Sequence, residues 1–204
     1  IKPGVIAETE QYNGSAWTEV GDLNTARSGM GGAGTQTAGL GFGGYDPSVS
    51  ADSEEFDGTN WAEGDNLNLA RYFLQGAGTQ TAGLGFGGYT PGAYSNDTEE
   101  YNGSSWTESG NMNTARNELG GCGTQTAGLA FGGAAPAASA ASESYNGTAW
   151  TEGNDLNSGR KTLTGFGIQV NAIAAGGGRP GGALTELYDG SSWTEVGDLS
   201  TGRY

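Results

Sequence analysis

Apolar side chains are sparse along the chain and fall in short extended stretches instead of helical stripes. No run keeps a 3.6-residue apolar period. The large side chains cluster at regular intervals: Trp17, Trp61, Trp106, Trp150 and Trp193 are 44, 45, 44 and 43 residues apart and are all the tryptophans present. A period in the forties is the mark of a repeat architecture. Counted from each Trp, an aromatic lies five residues before it (Tyr12, Phe56, Tyr101, Tyr145, Tyr188), followed by Asn-Gly or Asp-Gly. That dipeptide between two extended runs predicts a β-hairpin, since both residues tolerate positive φ. A two-residue turn sets Glu10 opposite Trp17; a four-residue loop sets Tyr12 opposite Trp17.

A second hairpin precedes each of these. After Arg27, Arg71 and Arg116 come strands of small residues around GTQTAGL, beginning at Gly34, Gly78 and Gly123. Each closes on a doublet: Gly43-Gly44, Gly87-Gly88, Gly132-Gly133. A fourth unit diverges to GFGIQVNAIAAGGG but keeps Gly176-Gly177. One unit therefore reads as four strands. The small residues suit crowded inner strands whose backbones approach closely.

Two charges recur in every copy. Glu lies seven residues before the Trp (Glu10, Glu54, Glu99, Glu143, Glu186) and two after it (Glu19, Glu63, Glu108, Glu152, Glu195). Arg lies ten after (Arg27, Arg71, Arg116, Arg160, Arg203). Residues two apart on a strand share a face, so Glu19 and its equivalents are expected beside the Trp and partly buried. A buried carboxylate needs a partner. The repeated Arg is expected to supply it through a ring of Glu–Arg contacts using either Glu, and the Trp row is expected to form the core between units. The links GDLNTAR, DNLNLAR, GNMNTAR, NDLNSGR and GDLSTGR carry Asn or Asp five residues after the Trp and Asn or Ser seven after. These predict turns closed on their own backbone.

An Arg-led strand, a Gly-Gly doublet, then an aromatic and a Trp resembles the kelch repeat, over essentially the whole chain. The resemblance implies an all-β fold: a small β-propeller with each repeat a four-stranded blade. The period here is shorter than the kelch value of about 50. The near-identical units also look like the Gly-rich kelch-like arrays of phage and environmental sequences. Residues 1–204 read as one domain: 1–24 a partial blade, 25–67, 68–112, 113–156 and 157–199 full units, and 200–204 the start of another. Three closures stay open: four blades plus a surplus hairpin, five positions with one incomplete, or a piece of a longer array that borrows strands. Five positions is preferred.

Forty-one glycines in 204 residues would imply disorder if they were aperiodic, which they are not. A net charge of −15 disfavours nucleic acid and anionic membrane as partners. No apolar run is long enough to span a membrane, no signal-peptide pattern is visible, and position 1 is Ile, as expected of a processed, truncated or internal segment. Cys122 is alone, aligns with Ala33 and Ala77, and reads as a small apolar residue. There is no histidine, which removes His-based triads and most zinc sites, along with the copper site implied by kelch-type oxidases. Walker and G-x-S-x-G motifs are absent. No enzyme, metal or cofactor is expected. Asn13, Asn96, Asn102 and Asn146 sit in N-x-Ser/Thr sequons, three of them at the predicted turns.

The units differ most between the Gly-Gly doublet and the next aromatic strand: YDPSVSADS, YTPGAYSND, AAPAASAAS, GRPGGAL. A constant frame with one variable loop set is expected to bind there. Tyr45, Asp46, Tyr89, Tyr94 and Arg179 are the candidate contacts, with aromatic faces suited to sugar rings. The expected role is a non-enzymatic display or attachment module on a virion (a phage fibre or decoration protein) or another extracellular surface. It would bind a glycan or protein. The rival expectation is a structural block that pairs with other copies of itself through an incomplete terminal blade.

Overall fold

The structure is a computed structural model and describes residues 5–178 and 182–203. Among these every regular element is a strand. β1 (Glu10–Tyr12) and β2 (Trp17–Glu19) form a lone N-terminal hairpin. Sheet one joins β3 (Gly31–Thr35), β4 (Ala38–Phe42), β7 (Ser53–Phe56) and β8 (Trp61–Glu63), with β5 (Tyr45–Asp46) and β6 (Ser48–Val49) as a side ribbon. Sheet two joins β9 (Gln75–Thr79), β10 (Ala82–Phe86), β13 (Thr98–Tyr101) and β14 (Trp106–Glu108), with β11 (Tyr89–Thr90) and β12 (Ala93–Tyr94) as its ribbon. Sheet three is β15 (Gly120–Thr124), β16 (Ala127–Phe131), β17 (Ser142–Tyr145) and β18 (Trp150–Glu152). Sheet four is β19 (Thr164–Ile168), β20 (Asn171–Ala175), β21 (Thr185–Tyr188) and β22 (Trp193–Glu195). All four sheets are antiparallel meanders.

The outer hairpins adopt the four-residue loop. Tyr12 lies opposite Trp17, and Tyr101 opposite Trp106. The Asn13 side chain makes this loop by accepting from the amides of Ser15 and Ala16, at 2.9 and 3.0 Å. Gly14 then takes φ +94°, which a Cβ would strain. Asp57 and Asp189 act likewise, and the amides they accept (Asn60, then Thr59; Ser192, then Ser191) hold their carboxyls below the usual range.

Consecutive sheets lie face on face, with the inner strands β3, β9, β15 and β19 side by side in that order. Glycine permits this spacing: a Cβ on Gly76 would stand 2.2 Å from the Gly32 carbonyl oxygen and 2.7 Å from Phe42. The turn glutamine of each unit reaches back to its predecessor. Gln80 donates to the carbonyls of Gly39 and Phe56, Gln125 to Gly83 and Tyr101, and Gln169 to Gly128 and Tyr145. Each sheet thus has a forward face, carrying Leu40 and Phe42 in sheet one, and a rear face carrying the Trp. Forward Phe meets rear Trp at ring distances of 4.8 Å (Phe42–Trp106), 5.0 Å (Phe86–Trp150) and 4.8 Å (Phe131–Trp193). The core is therefore three separate layers, one between each pair of sheets. Cys122 lies in the layer between sheets three and four, where burial pushes its thiol up to about 11.

The tryptophans do not all share one environment. Trp106, Trp150 and Trp193 are buried and Trp61 is half-buried, but Trp17 is 64 % exposed, because among the described residues no sheet lies behind the N-terminal hairpin. The Glu two residues after each Trp also departs from expectation: Glu19, Glu63, Glu108, Glu152 and Glu195 are all exposed. Each ends a short outermost strand. In register Glu63 opposes Glu54, and like charges there are unfavourable. Slight burial and then Glu54 raise the Glu63 carboxyl above its usual range. One carboxylate of the pair takes the cation and the other faces water.

Candidate functional site

Four buried ion pairs recur, and all use the Glu seven residues before the Trp. Arg27–Glu54, Arg71–Glu99, Arg116–Glu143 and Arg160–Glu186 span 2.7–2.9 Å with side chains at most 2 % exposed. Each Arg also donates through Nη1 to two carbonyls, for example Arg116 to Gly132 and Ala141. Burial lowers the Arg71 and Arg116 values, against the pull of Glu99 and Glu143. The Asn seven after the Trp serves this cluster and not its own turn. Asn113 gives its amide and side-chain Nδ2 to Glu143 Oε2 and a further bond to the Trp150 carbonyl. Asn24, Asn68 and Asn157 repeat this at Glu54, Glu99 and Glu186. The ion-paired Arg and Glu side chains are sealed in and bound to each other, so they clamp the link to the next sheet instead of facing a ligand.

The variable loops build something different. Tyr45 starts the ribbon of sheet one, and its backbone bridges Ser28; Tyr89 starts the ribbon of sheet two and bridges Tyr72. Because residues 28 and 72 each follow a repeated Arg, these bridges set the ring of Tyr72 between the two ribbons. Ring centroids are 5.6 Å apart for Tyr45–Tyr72, 5.7 Å for Tyr72–Tyr89 and 5.2 Å for Tyr89–Tyr94. Phe73 joins at 4.9 Å from Tyr72 and is itself exposed. Three of the candidate residues, Tyr45, Tyr89 and Tyr94, thus lie in one continuous aromatic row. Asp46 is half-buried beside it on β5, and its carboxylate makes no hydrogen bond or ion pair among the described residues. Arg179, the fifth candidate, lies outside the described residues.

Tyr72 and Phe73 were missed by sequence reasoning, which looked only at the loops. The available signal was comparison at the position after the repeated Arg, where Ser28, Tyr72, Asn117 and Lys161 differ. At the same bridges, sheet three has Asn117 and Ala134, so the aromatic row belongs to the first two units only. Flat rings with free edges and hydroxyls offer stacking faces and hydrogen-bond groups together. No group of three or more His, Cys, Asp or Glu suited to a metal occurs among the described residues.

No protein-family model matches the chain, and no curated protein matches it.

Proposed function

We propose that the sheets are blades of a kelch-like β-propeller, left open between sheet four and the N-terminal hairpin, and that the molecule is a non-enzymatic binding module for display or attachment on a virion or other extracellular surface. Support for the propeller comes from four equivalent positions. Gly29, Phe73, Glu118 and Thr162 are joined by backbone bonds of 2.6, 3.0 and 2.8 Å and line one opening of about 220 Å³. That is how residues converge around an axis.

The binding reading rests on the aromatic row Tyr45–Tyr72–Tyr89–Tyr94. It breaks the repeat, it is built by loops, and it is held by a rigid frame. The ligand class is a glycan, its rings stacked on the tyrosine faces, with Asp46 accepting from sugar hydroxyls; a protein surface is the other ligand that such a row accepts. Glycan-array screening followed by calorimetry tests this. Tyr89→Ala and Tyr94→Ala should each weaken the ligand found by roughly tenfold, the effect of a lost aromatic anchor, while the thermal midpoint stays within a few degrees. Binding that ignores both substitutions would place the site elsewhere.

A further inference from the structure

The two ends of the stack are complementary to each other, and both are uncovered. At each internal junction the rear-face Trp donates Nε1 to a hydroxyl of the preceding unit. Trp61 donates to Thr9, Trp106 to Ser53, Trp150 to Thr98 and Trp193 to Ser142, at 2.9–3.4 Å. The next hydroxyl in this series is Thr185 of sheet four, and the only tryptophan without such a partner among the described residues is Trp17.

The ion pairs leave the same remainder. Glu10 is exposed, with no cation among the described residues. Arg203 is exposed, with no carboxylate partner among the described residues. Yet the Arg203 backbone is already held as its equivalents are: its carbonyl accepts from Gly177 at 2.8 Å, as that of Arg160 does from Gly133. It is half of a fifth clamp.

Sheet four is also altered where it would meet a partner. Phe166 and Ile168 on β19, over half exposed, stand where the earlier sheets have Ala33, Ala77 or Cys122 and Thr35, Thr79 or Thr124. A further glycine-rich inner strand, stacked backbone on backbone, leaves no room for Phe166. Among the described residues no inner strands accompany the N-terminal hairpin, and a groove of about 490 Å³ is lined by Tyr12 and Trp17 of the hairpin and by Phe56 and Trp61 of sheet one.

We propose that the forward face of sheet four binds the N-terminal hairpin of a second copy of this chain, head to tail. Trp17 then donates to Thr185 of the second molecule's neighbour, Glu10 pairs with Arg203, and Phe166 enters the groove. This continues an interface the chain already makes four times. It does not depend on the ligand reading.

Light scattering or sedimentation across concentration tests it on the full 204-residue chain, with Trp17→Glu and Phe166→Glu as single variants. Both side chains are exposed, so both variants should fold. The parent chain should gain mass with concentration, and each variant should assemble at least tenfold more weakly. An equimolar mixture of the two should recover a 1:1 complex, because one intact end remains on each partner. Glu10→Arg and Arg203→Glu should each weaken assembly, and mixing those two should restore it. A parent chain that stays at monomer mass at every concentration would overturn the proposal, whether its ends stay open or join within one molecule. So would assembly that persists in both Trp17→Glu and Phe166→Glu.

Discussion

Arg116 shows how much a single repeated residue carries. Its guanidinium neutralises Glu143 and satisfies two carbonyls, all inside the protein. Removing one member of such a pair leaves a charge buried without compensation. Arg116→Ala should therefore cost about 3–5 kcal/mol, read as the shift in urea-unfolding free energy. Asn113 remains to hold Glu143, so the loss should be less when the carboxylate is neutralised as well in Arg116→Ala/Glu143→Gln. The tyrosines of the outer hairpins titrate by a related logic. Burial, and then a bond to Glu100, push the Tyr145 hydroxyl from 10.0 up to about 12; the Cys122 thiol is pushed from 9.0 up to about 11. A folded value raised above the unfolded one favours the protonated fold. The stabilisation is complete below the unfolded values and is lost as pH rises through the folded ones. Urea midpoints should hold up to about pH 9 and fall between pH 9 and 12, and Tyr145→Phe should flatten the upper part of that fall.

Inner strands are where glycine acts as an element-level device. The approach of β9 to β3 places the Gly32 carbonyl 2.2 Å from any Cβ at Gly76, and backbone cannot move aside as a side chain can. Gly76→Ala should destabilise by at least about 1–3 kcal/mol. Gly197, with ordinary φ and nothing within 4 Å of an added Cβ, offers the contrast. Gly197→Ala should stabilise by about 0.4–1 kcal/mol through the unfolded chain. Denaturation curves of the two variants settle whether glycine here serves close packing or is incidental. The same spacing keeps aromatic side chains off β3, β9 and β15, and the Phe that meets each Trp stands on the following strand, β4, β10 or β16, with ring distances of 4.8–5.0 Å.

At the scale of the molecule, stability is a row of nearest-neighbour contacts and not one core. Sheets two and three are covered on both faces; the N-terminal hairpin and sheet four are covered on one. Opening free energies should follow that order. Hydrogen exchange on dilute protein should find the amides of β9, β10, β15 and β16 slowest, and those of β1, β2 and β19 fastest.

Much of this fold was legible in the chain because a repeat compares a sequence with itself. The Trp period, the Asn-Gly turns and the Gly-Gly doublets predicted strands and hairpins from local chemistry, and four-stranded sheets are what forms. The hairpin register stayed open, since only the paired strands show that Asn13 closes a four-residue loop. Which Glu meets the Arg was equally hidden. Both carboxylates recur with the same regularity, and only the path of the link past Glu54 and short of Glu63 separates them. Tyr72 was not singled out in the sequence, and the bridge to Tyr89 is what places it between two loops. Local rules act over a few residues, so the sequence alone decided turns, strands and their repetition. Burial of Glu54, exposure of Trp17 and assembly of the aromatic row depend on what lies a whole unit away, and the tertiary structure alone decided those.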